Sequence, residues 1–237
     1  MKILSIDTAS NLCTVAVLEA EKCIKEIIVN DARNHSEKIM PVIEQALSES
    51  KLTLQDINLI VCDKGPGSFT GIRIGVGTVL ACKDSLNIPC VGISSLEVLA
   101  YNIKKDGIIC STIDCKNNNC YFALYELNSG NYNVLIEPCA KSVNDVLDLL
   151  NSQYYNKCIS FVGDGIPSEK LHSIYDNNAD SEVTKNIISS YLNVENLGTA
   201  GYKKFINNNK VGEEILPLYL KKPQAQIQLE EKLKAKI

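Results

Sequence analysis

Residues 6–19, IDTASNLCTVAVLE, recur as IDCKNNNCYFALYE over residues 113–126 at a constant offset of 107, with six of fourteen positions identical. The matched pairs are Ile6/Ile113, Asp7/Asp114, Asn11/Asn118, Cys13/Cys120, Ala16/Ala123 and Glu19/Glu126. In each copy a β-rich run ends in Asp, polar turn residues follow, and a second run alternates apolar and polar side chains, which is the pattern of a hairpin. A third run follows at 23–29 and at 132–136. Each trio leads into a helix-like segment: residues 35–49 with Ile39, Ile43 and Leu47 on one face, and residues 142–150 with Val143, Val146, Leu147 and Leu150. A buried strand and a glycine turn come next, 57–63 before Lys64-Gly65-Pro66-Gly67 and 158–162 before Gly163-Asp164-Gly165, with Ser168 read as the following N-cap. Both halves read βββαβα.

An α/β chain built from two duplicated βββαβα lobes describes the actin-like, sugar-kinase and heat-shock ATPase (ASKHA) fold. The expected division is an N-terminal lobe over 1–105, a C-terminal lobe over 106–220 and a tail over 221–237, with the boundary at the Lys104-Lys105-Asp106-Gly107 stretch. Apolar runs such as 57–61 and 108–110 fall far short of the ~20 residues a bilayer span needs, and the start has no secretory pattern. A soluble, unexported, cytoplasmic protein is expected. Its formal charge of −4 argues against a chain that grips nucleic acid alone. The ten cysteines contain no CxxC pair, so they read as reduced thiols, several of them within apolar strands, rather than as a zinc or redox motif.

The segment Lys64-Gly65-Pro66-Gly67-Ser68-Phe69-Thr70-Gly71-Ile72-Arg73-Ile74-Gly75-Val76-Gly77-Thr78 enters a helix ending near Asn87. It is not a P-loop, which needs Lys and then Ser or Thr after the last glycine, and it lacks the third glycine of a dinucleotide fingerprint. Gly71, Gly75, Thr78, Cys82 and Ser85 fall at i, i+4, i+7, i+11 and i+14, a stripe of small side chains. Each interior glycine costs about 1 kcal/mol of helix propensity, so close approach of another backbone is expected, either the chain's own sheet or a helix of a second subunit. The intersubunit contact is the favoured expectation, supported by Arg73, one of only two arginines with Arg33. A planar donor there suits carboxylate recognition.

IDTAS, HSEKIMPVI, GPGSFTGIRIGVG, SSLEVLA, the second ID hairpin and LPLYLKK together resemble the bacterial TsaB (YeaZ) family over residues 6–222. The resemblance implies a non-catalytic subunit in forming N6-threonylcarbamoyladenosine (t6A) at position 37 of tRNAs reading codons that start with A. It implies pairing with the catalytic paralogue TsaD, participation of the ATPase TsaE, a homodimer in isolation, and contact with tRNA only through the complex. It further implies that this chain alone binds no cofactor, while its partners use ATP and metal. Carried over, the partner interface comprises His35, Ser36, Glu37, Ile39 and Met40 together with Gly67, Ser68, Phe69, Thr70, Gly71, Ile72, Arg73, Gly75, Thr78 and Cys82. Lys116, Asn118-Asn119 and Lys221-Lys222 depart from the family pattern.

No catalytic set is expected. The His-x-x-x-His metal pair of the paralogue has no counterpart, because the chain has only His35 and His172, and Ile39 stands four residues after His35. Asn34 and Glu37 have capping-box spacing, which assigns His35 to a helix start. GxSxG is absent. Asp7, Thr8 and Asp114 mark a vestigial nucleotide site, since Ala9 and Lys116 stand where nucleotide-binding members of the fold place glycine. Two other readings remain: a stand-alone nucleotide-dependent kinase or hydrolase, and a homodimeric binding protein unrelated to tRNA.

Overall fold

The computed structural model describes residues 1–30, 34–155, 157–175, 192–207 and 214–221. Strands β1 (Lys2–Asp7) and β2 (Cys13–Glu19) are apolar at most positions and buried along nearly their whole length, as strands covered on both faces must be. They pair antiparallel, with Lys2 opposite Glu19 and Asp7 opposite Thr14. β3 (Lys22–Val29) alternates half-buried and exposed positions, as a sheet edge does. Helix α1 (His35–Glu49) leads to β4 (Leu59–Asp63), parallel to β1, and α2 (Phe69–Leu86) leads to β5 (Cys90–Ile93), parallel to β4. The five-stranded sheet has the order β3-β2-β1-β4-β5.

After α3 (Ser95–Ala100) comes a four-stranded sheet, β8-β7-β6-β9, from β6 (Gly107–Asp114), β7 (Asn119–Asn128), β8 (Asn131–Ser142) and β9 (Ile159–Gly163). Helix α4 (Val143–Gln153) joins β8 to β9, α5 (Ser168–Tyr175) follows, and α6 (Val194–Asn207) comes last. The order is layered. α1 and α2 pack on one face of the first sheet through Ile39, Ile43, Leu47, Ile72, Val76 and Val79. α6 covers its other face, where Leu197 and Ala200 meet Ile3, Leu59 and Val61. α3 packs Leu96 and Leu99 on the second sheet against Ile109, Ala123 and Tyr125, and α4 packs Val146, Leu147 and Leu150 on the far side.

Several elements differ from expectation. The second hairpin is one residue tighter than the 107 offset implies, because Asp114 faces Cys120, whereas Asp7 faces Thr14. Lys116, Asn117 and Asn118 turn that hairpin with φ of 68°, 58° and 55°, a left-handed run in which the two asparagines are well tolerated. β8 extends well beyond 132–136, since Pro138 sits on a sheet edge where a missing N–H goes unused. Asn34 makes no side-chain cap; its carbonyl accepts from the Glu37 and Lys38 amides instead, so the capping box is not formed. Ser168 is the first helical residue of α5, because the Pro167 carbonyl accepts from the Lys170 amide. α6 packs on the first sheet, so a cut at residue 105 does not divide the packing in two. Cys13, Cys62 and Cys110 are fully buried, Cys23 is half-buried, and among the described residues none of the ten cysteines is in a disulfide.

Candidate functional site

Strand β4 ends in Asp63 and the chain turns through Lys64 to Gly67 into α2. Ser68 caps that helix, its Oγ accepting from the Gly71 amide at 3.2 Å. The turn is stitched to the end of β1: the Ser68 amide donates to the Ala9 carbonyl at 2.7 Å, and Thr8 Oγ1 donates to the Gly71 carbonyl at 2.7 Å. A methyl group on Gly71 would overlap the Thr8 carbonyl oxygen, one on Gly67 would overlap the Ala9 carbonyl oxygen, and one on Gly75 would stand 2.6 Å from Thr8 Oγ1. Gly71 and Gly75 therefore let α2 lie on the chain's own β1–β2 turn.

This corrects the expected contact row. Gly71, Ile72, Gly75 and Cys82 face inward and are buried, as are His35 and Ile39 on α1, so these six are packing residues of the chain itself. Of the expected residues, Ser36, Glu37 and Met40 on α1, the cap Ser68, and Thr70 and Arg73 on α2 are exposed, while Gly67, Phe69 and Thr78 are half-buried; α2 also exposes Gly77 and Ala81, and α1 exposes Lys38 and Glu44. Gly77 is open, with nothing within 4 Å of the position a methyl would take. Thr70, Gly77 and Ala81 form a second small-residue stripe on the outer side. Both stripes have helical spacing, so sequence periodicity alone does not distinguish them.

A further component went unrecognised in the sequence. The segment 214–221 runs beside the β4–α2 turn: Ile215 is buried in the first core, and the Leu218 amide donates to the Lys64 carbonyl at 2.7 Å. Tyr219 then meets α2, its ring 4.5 Å from that of Phe69 and its hydroxyl accepting from Arg73 Nε at 2.9 Å. The Arg73 guanidinium lies 3.9 Å above the Phe69 ring. Lys221 Nζ donates to the Cys115 carbonyl at 3.0 Å, tying the strap to the second hairpin. Only the LPLYLKK string hinted at this, and it has no periodicity from which a contact could be inferred. Arg33, Lys222 and the remaining tail lie outside the described residues, as does the His172 side chain.

Between the two sheets opens a cleft of about 640 Å³, with Ser10, Asn11 and Gly67 on one side and Asp114, Lys116 and Asp164 on the other. Lys116 Nζ pairs with Asp114 at 2.6 Å, and Asp164 accepts from the Asp114 amide at 2.9 Å. The hydrogen bond from Lys116 holds the Asp114 carboxyl below its ordinary range and raises Lys116 in turn. Of the three expected nucleotide-site residues only Asp114 lines the cleft. Thr8 is used in the staple to α2, and Asp7 is 1% exposed beneath the cleft wall, its Oδ1 accepting from the Ala9 amide at 2.6 Å.

Asp7 and Asp63 end the neighbouring parallel strands β1 and β4, one step beyond the Ile6–Cys62 pair. Desolvation pushes Asp7 up to about 6. It pushes Asp63 well above the usual carboxylate range, with the charge of Asp7 adding to the shift. Asp63 Oδ1 accepts from the Gly65 amide and from Ser95 Oγ, both at 2.7 Å, while Oδ2 is buried without a partner. Among the described residues no three His, Cys, Asp or Glu side chains gather as a metal cage. Among them, too, no helix is long and apolar enough to cross a membrane.

The family model for TsaD, tRNA N6-adenosine threonylcarbamoyltransferase, matches residues 22–229, which places the two-sheet α/β fold in the class of TsaD-related domains. Over 164 residues the chain is 34% identical to the tRNA threonylcarbamoyladenosine biosynthesis protein TsaB of Bacillus subtilis, covering 69% of this chain and 71% of that protein. The chain belongs to the TsaB (YeaZ) family. The proteins of the same name from Escherichia coli and from Buchnera aphidicola of Schizaphis graminum are 33% and 39% identical, over 53% and 54% of this chain and 55% and 61% of theirs. In fold, the YeaZ structure from Pseudomonas aeruginosa superposes with a TM-score of 0.69 at 21% identity, over 92% of this chain and 99% of that one.

Proposed function

We propose that this chain acts in t6A biosynthesis as a non-catalytic subunit that docks and activates TsaD, through the outer face of α1 and α2 and the strap that borders it. The observation carrying this reading is the outer stripe of α2, where Gly77 and Ala81 leave room for a second main chain beside the exposed Arg73 and Met40. An interior glycine on an exposed helix face with no neighbour is a cost to the isolated chain, and a partner backbone offsets it. In the full proposal the two sheets are duplicated actin-like lobes, the same face pairs with itself in isolation, TsaE joins the complex, and tRNA is contacted through it. ATP and metal are used by the partners, in the cytoplasm. The proposed docking residues are Ser36, Glu37, Met40, Thr70 and Arg73, with Phe69 behind them.

The cleft gives weaker support to a stand-alone kinase or hydrolase. A nucleotide phosphate entering it meets Asp114 and Asp164, and the adjacent cation, Lys116, is already paired. The deciding experiment is t6A formation from threonine, bicarbonate and ATP on unmodified tRNA with the purified partners, TsaD and TsaE among them, with and without this chain. Modification that requires this chain, combined with no turnover by the chain alone, is expected. Equal modification in its absence overturns the reading.

A further inference from the structure

Arg73 stands out chemically on the docking face. It is one of two arginines among 24 basic residues, and the two exposed turns around it carry no other charge. Its guanidinium is held from two directions, by the Phe69 ring at 3.9 Å and by the Tyr219 hydroxyl on Nε at 2.9 Å. Among the described residues it forms no ion pair, so its terminal Nη groups have no carboxylate partner. A guanidinium that binds a carboxylate in a two-bond fork must first lose its rotational freedom, and Arg loses little when its plane is already fixed. Tyr219 is itself fixed. Ile215 is 3% exposed on one side of it, the Leu218 amide bonds to the Lys64 carbonyl, and Lys221 bonds to the Cys115 carbonyl on the other.

Resting on the docking role above, we propose that Tyr219 is a positioning residue, fixing Arg73 so that its free edge receives an Asp or Glu side chain of the docked partner protein. The strap thus belongs to the recognition surface, although only Tyr219 and its neighbours reach it. A lysine is unsuited to this task, since an ammonium on a flexible stem offers no fork. Aromatic stacking on Phe69 supplies the second fixed plane.

The test has two readouts. In the free chain, the 15N-labelled Arg73 Nε–H signal, assigned against Arg33→Lys, is expected to be shifted by the rings and slow to exchange; Tyr219→Phe, which removes the hydrogen-bond acceptor, should speed its exchange towards the solvent-exposed rate. In binding to TsaD of the same source, Tyr219→Phe is expected to weaken affinity about tenfold, Arg73→Lys by at least as much, and the double variant no more than Arg73→Lys alone. Phe69→Leu provides a second perturbation of the same clamp, with an expected loss of similar size, should the tyrosine variant fold poorly. Additive losses, or unchanged affinity for both Tyr219→Phe and Phe69→Leu while the unaltered chain still binds, overturn the clamp and leave the docking role standing. An unaltered chain that fails to bind TsaD overturns both.

Discussion

Thr8 and Gly71 are joined side chain to main chain, with Oγ1 donating 2.7 Å to the carbonyl, and no atom larger than hydrogen fits between the glycine Cα and the Thr8 carbonyl. Gly71→Ala gains about 1 kcal/mol of helix propensity, but must push apart two main chains, a cost of about 1–3 kcal/mol and more where backbone blocks relief. A net loss of about 1–3 kcal/mol is expected in urea denaturation. Gly75→Ala meets only the rotatable Thr8 hydroxyl at 2.6 Å, so its loss should be smaller. If Gly71→Ala matched the parent chain in stability, the seating of α2 on the β1–β2 turn would be wrong.

Gly77 gives the opposite sign. Nothing lies within 4 Å of its would-be methyl, and it sits in the interior of an exposed helix face. Gly77→Ala should stabilise the isolated chain by about 0.5–1 kcal/mol. Gly77→Leu should leave its melting temperature equal or higher, yet on the proposed docking role weaken both self-association and pairing with TsaD at least tenfold, because the side chain would fill the space proposed for the partner backbone. Sedimentation velocity and titration against TsaD would check this. Unchanged association with Gly77→Leu would move the docking surface elsewhere on the molecule.

The cleft yields a prediction about charge. Asp114 is held ionised by Lys116, and Asp164 lies one hydrogen bond from its backbone, so the pocket presents carboxylates to an entering phosphate. Calorimetric titration of the isolated chain with Mg-ATP is expected to give no binding tighter than about millimolar, near −4 kcal/mol. Micromolar binding with turnover would favour the kinase or hydrolase alternative.

The strands of the first sheet were legible because the β1–β2 hairpin recurs in the second half and because β4, Leu59–Asp63, is an apolar run up to its closing Asp. The glycine element was legible as a helix too, and Asn87 ends it in a left-handed conformation, near where its composition suggested. The facing of α2 was not legible. Residues 71, 75 and 82 and residues 70, 77 and 81 are both small stripes at helical spacing, and what chooses between them is Thr8, sixty-three residues before Gly71. The strap was illegible on the same ground: Tyr219 reaches Arg73 across 146 positions, and no local pattern encodes a contact of that span.

The Asp7–Asp63 pair should make the chain less stable as pH rises through the mildly acidic range. Burial holds Asp7 near 6 in the folded chain, against an ordinary value of 3.8, and shifts Asp63 in the same direction. Between pH 4 and 6 the folded chain therefore retains protons that the unfolded chain has lost. Stability then falls as pH rises through that interval, and for Asp7 the full penalty remains above pH 6. Asp63→Asn keeps an oxygen for the Gly65 amide and Ser95 Oγ while removing one charge, so it should flatten the slope. The variant should be more stable than the parent at pH 8, with the difference shrinking towards pH 4. Ser95→Ala should act oppositely at high pH, since it removes a hydrogen bond that favours the ionised form. Urea titrations of the three chains at intervals from pH 4 to 8 measure these slopes. Parallel profiles for the parent chain and Asp63→Asn would mean that the two carboxyls do not share a buried environment.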